Sequence, residues 1–369
     1  VRGTPTDTVQ AGRSGVKNQI TAFDFSSRAP TVQPFAEIEA SEDDSVTCLA
    51  NLSTRDGVIL YAGICGSKED RLNDRNEHFQ AFELRFPKDK EEKMQVNMQF
   101  LSKTKLFTTP QSDFAKNHGY QRIVKLSTPR TSNKPNMRIG AIASSLAGDK
   151  DKNEIVIFSA TSNKPTDQDV IGRITLQKGQ EVNDLDIFTQ EEGRFRVAYV
   201  TDQEVFVQDV NYDFEQKKAT DTNEHRKVYT IPSVSSGPRS KLRCVRWLSP
   251  KHLLLLANKP NKTGVELLLL HLYEEGPGMI ALRKKLPGHV KLALDMDVSL
   301  LDADDEGAYQ IAIAVGALDC SLTVYTMDFH GPARDSMSSF HSFNSYHKVS
   351  RRCQLHVSYA DRARFITSQ

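Results

Sequence analysis

The feature that most constrains this chain is the recurrence, almost from end to end, of short strand-like segments separated by polar turns. Clear examples are SVTCLANL from Ser45, VILYAGI from Val58, HFQAFELRF from His78, EIVIFSA from Glu154, RFRVAYV from Arg194, EVFVQDV from Glu204, KLRCVRWL from Lys241 and QIAIAVG from Gln310. No long stretch carries the apolar spacing of an amphipathic helix, so the pattern is all-β. Leu253 to Leu256 and Ile311 to Val315 are apolar on both faces, as expected of strands buried inside a stack of packed sheets. Short connections at Glu192-Gly193, at Asp202-Gln203 and from Gly316 to Leu318 join antiparallel neighbours.

Grouping the strands in fours places sheets near Ser45, Gln121, Asn183, Leu242 and Leu292, with a partial sheet before them. Starts spaced by about 50 to 75 residues suit propeller blades with inserted loops. Trp247 is the sole tryptophan, and no Trp-Asp dipeptide marks the blades. Polar insertions are expected at 87–97, 109–119, 128–136, 211–226 and 233–240.

Lys and Arg number 48 against 47 for Asp and Glu, which leaves no global field to draw the chain to nucleic acid or anionic lipid. Cys48, Cys65, Cys244, Cys320 and Cys353 form no CxxC pair and mostly sit in apolar runs, so they read as reduced core thiols of a cytosol-facing domain. The longest apolar runs, near Leu253 and Val265, fall far short of the ~20 residues that cross a bilayer, and the chain reads as soluble. His341, His347, Cys353 and His356 match no zinc spacing. Neither a nucleophile elbow nor a phosphate-binding GxxxxGK[ST] occurs. Arg239, Lys241, Arg243 and Arg246 read as a solvated strand face rather than a nucleic-acid stripe.

The segment GRSGVKNQITAFD, Gly12 to Asp24, differs in kind. Gly12 and Gly15 free the backbone to turn several polar groups toward one point. Asn18 sits where that loop meets a strand, in which Ile20 and Ala22 share one face and Thr21 and Phe23 the other. Function is expected there.

That segment is followed in order by EDDSVTCLA from Glu42, RNEHFQAFEL from Arg75, LFTTPQS from Leu106, YQRIVKLSTPR from Tyr120, RIGAIASSLA from Arg138, EIVIFSATSNKPTDQDVIGRITLQKGQEVNDLDIF from Glu154, RVAYVTDQEVFV from Arg196 and LLLANKPNKTGVELLLL from Leu254. The series, over residues 12–330, resembles the fungal endoplasmic-reticulum guanine nucleotide exchange factors that activate the small GTPase starting coat-complex-II vesicle budding. The resemblance implies a seven-bladed β-propeller, degenerate in sequence and incomplete here at both ends, with five well-formed blades flanked by partial ones. It implies an irregular segment at 1–11, a propeller domain over 12–350 and an irregular tail at 351–369.

It also implies that Asn18 enters the GTPase nucleotide site as the catalytic residue and that Val16 and Lys17 flank it on the partner. A potassium ion is implied on backbone oxygens of Gly12, Gly15 and Asn18, although TDTVQA stands upstream where the family has a run of glycines. The expected place is the cytosolic face of the endoplasmic-reticulum membrane, in transport to the Golgi. The family's membrane-spanning helix has no counterpart in these residues. Exchange involves no covalent chemistry, and the alternative is a non-catalytic propeller scaffold in trafficking.

Overall fold

In the computed structural model the described residues are 2–3, 19–23, 34–39, 45–54, 56–67, 69–70, 73, 75–86, 97–108, 120–128, 137–145, 152–162, 164–220, 225–233, 237–303, 308–319, 321–330 and 346–349. They are almost wholly β. Helix is confined to short turns, such as the 3-10 turns Asp167–Asp169 and Pro260–Lys262. Among the described residues no helix is long and apolar enough to cross a membrane.

The chain divides into two compact units, whose described residues fall, for the first, within Val1–Glu181 and Tyr212–Ala219 and, for the second, within Val182–Asn211 and Thr220–His356. The first unit opens with a three-stranded antiparallel sheet of β1 (Arg2–Gly3), β2 (Gln19–Phe23) and β3 (Pro34–Glu39), with β2 in the middle. Blade I follows as β4 (Ser45–Ser53), β5 (Gly57–Cys65), β6 (Phe79–Arg85) and β7 (Asn97–Thr104). Blade II is β8 (Tyr120–Leu126), β9 (Ile139–Ser145), β10 (Glu154–Ser159) and β11 (Val170–Thr175).

In the second unit, blade III comprises β12 (Asp184–Glu191), β13 (Arg194–Val200), β14 (Glu204–Asp213), the two-residue β15 (Lys218–Ala219) and β16 (Arg226–Thr230). The far end of β14, with β15, belongs to the first unit. Blade IV is β17 (Lys241–Ser249), β18 (His252–Asn258), β19 (Val265–His271) and β20 (Met279–Lys285). Blade V is β21 (Ala293–Ala303), β22 (Ala308–Ala317), β23 (Leu322–His330) and β24 (Tyr346–Val349).

Each blade is an up-and-down antiparallel meander, and successive blades within a unit pack face to face, which is the β-propeller arrangement. The alternation of side chains along a middle strand explains how. On β18, Leu253 and Leu255 join the apolar cluster shared with blade III, whereas Leu254 and Leu256 join the one shared with blade V. On β5, Ile59 and Tyr61 pack toward blade II, and Leu60, Ala62 and Ile64 toward the three-stranded sheet. A middle strand in such a stack has no solvent face, so its sequence is apolar throughout.

Three expectations need correction. The blade count is five rather than seven, because the described strands before Ser45 make only a three-stranded sheet and those after Ala293 only one blade. Ile311, Ile313 and Val315 are buried, but Ala312 and Ala314 are half-buried, so β22 is covered fully on one face only. The expected insertion at 211–226 is partly regular: alternation continues through Val210 and Tyr212, and the chain turns back at Lys217, whose φ is 51°, to pair Asp213 with Lys218. Asp213 closes that turn by accepting the backbone N–H groups of Glu215 and Gln216 at 2.8 and 2.9 Å.

Other expectations hold. The five sheets begin at Ser45, Tyr120, Asp184, Lys241 and Ala293, each within two residues of the boundary read from the sequence. Gly193, at φ 76°, makes the tight turn from β12 to β13 that Glu192-Gly193 announces.

Blade II shows how closely these sheets are fitted. Gly140 of β9 lies opposite Phe158 of β10, and a Cβ at Gly140 would come within 2.3 Å of the Phe158 ring. That ring is fully buried against Phe79 and Tyr61 of blade I, at centroid distances of 5.0 and 6.0 Å, and has nowhere to retreat. Gly140→Ala is therefore expected to lower stability by about 1–3 kcal/mol, the usual cost of overpacking, in urea denaturation. A change within 0.5 kcal/mol would show that the ring is free to move.

Candidate functional site

Gly12, Gly15, Val16, Lys17 and Asn18 lie outside the described residues, which resume at Gln19. That residue opens β2, which pairs with β1 through Thr21 and Ile20 and with β3 from Gln19 to Phe23. Ile20 and Ala22 are each 1% exposed and pack against Val46, Leu60 and Phe82 of blade I. Gln19 Nε2 donates to Thr21 Oγ1 at 3.1 Å. The strand Gln19–Phe23 is thus fixed on both edges and on its apolar face.

The densest chemistry among the described residues is on the leading strands of blades III, IV and V, where β12 packs on β17 and β17 on β21. Arg246 of β17 is 1% exposed. Its Nη1 donates to Asp184 Oδ2 of β12, its Nη2 to Asp295 of β21 at 3.4 Å, and its Nε to Asp297 at 3.3 Å. Asp184 also accepts the Val245 N–H at 3.1 Å, and Asp186 accepts the Trp247 N–H at 2.9 Å. Two aspartates one pleat apart on β12 thereby grip two backbone amides of β17, also one pleat apart.

Burial opposes charge on Arg246, but Asp184, Asp295, Asp186 and Asp297 reverse this and hold its proton more tightly than usual. Cys244, one pleat away, has its thiol pushed well up by burial and by Asp184 and Asp295. It therefore stays protonated at neutral pH. Asp184, Cys244 and Asp295 present one oxygen or sulfur each within 4.8 Å of one another, a spacing that suits a metal ion. The cation already at that spot is the Arg246 guanidinium, and a protonated thiol is a poor ligand. The cluster ties three blades together; it is not a metal centre.

This overturns the reading of Arg246 as part of a solvated strand face, while Lys241 is exposed as that reading expects. The bulge between Leu242 and Cys244 places Arg246 with Cys244 on the face toward blade V, where Asp295 and Asp297 meet its guanidinium. Arg239 donates to Gln203, Lys241 pairs with Asp202, and Arg243 donates to the Leu294 carbonyl. The sequence signal for the cluster was available: Asp-x-Asp recurs at Asp184–Asp186 and at Asp295–Asp297, near the start of two blades.

A second buried polar group joins blades I and II. His78 Nε2 accepts the backbone N–H groups of Leu106 and Phe107, both at 3.1 Å, so the ring proton is on Nδ1 and goes to Gln121 Oε1 at 2.9 Å. The ring is stacked on Phe107 at 4.0 Å. Thr47 Oγ1 donates to the Gln121 carbonyl at 2.5 Å, and the Gln121 amide approaches Cys48 Sγ at 3.6 Å. Burial pushes the Cys48 thiol up to about 11, and both described cysteines are free. These contacts leave no open position for substrate and serve the joint between blades.

No family model matches the chain, and no curated protein matches it. Among solved structures, a triple arginine-to-alanine mutant of AofleA from Arthrobotrys oligospora is similar at 10% identity, over 86% of this chain and 78% of that one, with a TM-score of 0.35. Similarity at that level defines neither function nor ligand.

The His78 environment sets a pH dependence. Burial is the main cause that lowers its pKa from 6.5 to about 4, with Lys105 and Arg173 adding to it against the Gln121 hydrogen bond. The unfolded chain then binds the proton more readily, so stability is lost as pH falls below about 6.5 and the loss is complete below about 4. The expected loss from this residue is about 2 kcal/mol between pH 7 and pH 5. Denaturant melts across that range should show it in the wild type and show it reduced by that amount in His78→Gln. An unchanged slope in the variant would contradict the assignment.

Proposed function

We propose that this chain is a guanine nucleotide exchange factor for the small GTPase that starts coat-complex-II budding, acting at the cytosolic face of the endoplasmic-reticulum membrane in transport to the Golgi. The sequence resemblance over residues 12–330 supports the reading. The observation that carries it is the anchorage of Gln19–Phe23, which begins immediately after Asn18 in sequence and is the middle strand of a sheet packed on blade I. Functional groups are best held on such rigid elements, with the reactive segment projecting from them.

Exchange is a matter of differential binding. A surface that prefers the nucleotide-free GTPase must, by linkage, weaken nucleotide binding by the same factor. In this reading Asn18 enters the nucleotide site, its amide able both to donate and to accept hydrogen bonds. Val16 and Lys17 supply flanking contacts. Backbone oxygens of Gly12, Gly15 and Asn18 would hold potassium, a hard cation suited to carbonyl ligands, and thereby fix the loop. Each tenfold of acceleration corresponds to about 1.4 kcal/mol, so several orders of magnitude need a broad blade surface in addition to the loop.

Release of a fluorescent GDP analogue from the GTPase tests this. The wild-type chain should accelerate release, and Asn18→Ala should remove at least about tenfold of that acceleration while melting at the wild-type temperature. Replacing potassium by sodium should slow the wild type and leave Asn18→Ala unaffected. Equal acceleration by wild type and variant would remove Asn18 from the mechanism, and no acceleration by either would leave a propeller that binds without catalysing.

A further inference from the structure

A row of four polar or soft side chains crosses blade IV. Ser249 of β17 lies opposite His252 of β18, His252 opposite His271 of β19, and His271 opposite Met279 of β20. Residues directly opposed in antiparallel strands point to the same face of the sheet. A hydroxyl, two imidazoles and a thioether are therefore aligned across all four strands. Tyr273, two residues beyond His271, shares that face, with its ring edge-on to His271 at 5.0 Å and its hydroxyl 4.0 Å from the Met279 sulfur.

We propose that His252, His271 and Met279 bind a copper(I) ion, with Ser249 as the positioning residue for His252. His252 Nε2 and His271 Nδ1 are 3.0 Å apart. At metal–nitrogen bonds of about 2.0 Å, that separation corresponds to an angle of about 95° at a shared ion. The pair needs to part by only about half an ångström to reach trigonal geometry. Imidazole nitrogen with thioether sulfur is a soft donor set, which selects copper(I) over magnesium or calcium. Met279 is 36% exposed and Tyr273 43%, so the outer strand leaves a path for the ion.

Ser249 holds the inner ring in the required orientation. Its Oγ is 2.8 Å from His252 Nδ1 and accepts the Lys251 N–H at 3.2 Å. With copper on Nε2, the ring proton resides on Nδ1 and is donated to Ser249. This is the outer hydrogen bond that ligating histidines characteristically make. Without copper, one proton lies between the two imidazoles. Binding therefore moves that shared proton to the other nitrogen of the ring that carried it, Nδ1 of His252 or Nε2 of His271, and no oxidant, reductant or net proton is needed. A serine–histidine nucleophile is the competing reading of the same atoms, but Ser249 is 4% exposed and out of reach of a substrate.

The test is anaerobic competition of the full chain against copper(I) bicinchoninate, with X-ray absorption on the loaded protein. The wild type should withdraw one copper, and its spectrum should show nitrogen with one sulfur. His271→Asn should weaken binding by about 100-fold and Met279→Leu by about tenfold, the latter losing the sulfur signal. Should His271→Asn not fold, Met279→Leu carries the test alone, since its side chain is at the exposed edge. The proposal is overturned if the wild type withdraws no copper. It is equally overturned if both variants withdraw it as strongly, which would place the metal on cysteines.

Discussion

The burial of Arg246 is the constraint from which the second unit is organised. A guanidinium at 1% exposure is unstable unless its donors are met by carboxylates, and the carboxylates come from the leading strands of the blades on either side. Apolar packing alone permits blades to slide over one another, since one leucine contact replaces another at little cost. A charge with fixed donor directions does not. Asp184 and Asp186 add a second fixed relation by accepting the β17 amides of Val245 and Trp247, so the strands are held in register as well as in contact. The first unit uses neutral groups for the same purpose: one histidine joins the residues after β7 to Gln121 of β8, and burial keeps its imidazole uncharged.

Blade starts were legible because they depend on local alternation and on turns, which the chain states directly. Leu253 to Leu256 could be read as buried on both faces for the same reason. Arg246 could not, because its partners Asp184, Asp295 and Asp297 are about 50 to 60 residues away in sequence and bulges on either side of it interrupt the alternation of β17. Tyr212 was misassigned to a loop because the polar residues around it outweighed the alternation it continues. The row from Ser249 to Met279 was invisible for a further reason: it depends on the register of four strands, and only Ser249 and His252 are near neighbours in sequence. The blade count came from resemblance and was corrected by strand pairing.

The contrast between the two kinds of chemistry follows the same division. Polar groups inside the blades have their hydrogen bonds taken by neighbouring strands, and they give the scaffold its rigidity. The exchange-factor reading asks nothing of them beyond that rigidity, because it rests on residues 12–18, which precede β2 in sequence. A propeller serves such a task well: many short strands, each buried by the next blade, present loops whose sequences are free to vary.

A double-mutant cycle on Arg246→Met and Asp184→Asn tests the central claim most directly, with stability measured by urea denaturation. If the guanidinium and Asp184 neutralise one another between blades III and IV, Arg246→Met removes the counter-charge of a buried carboxylate, and the second substitution relieves it. The double variant should then be more stable than the sum of the single effects by about 2 kcal/mol or more. Additivity within about 0.5 kcal/mol would show that the two residues do not interact, and the blades would have to be held in register by something else.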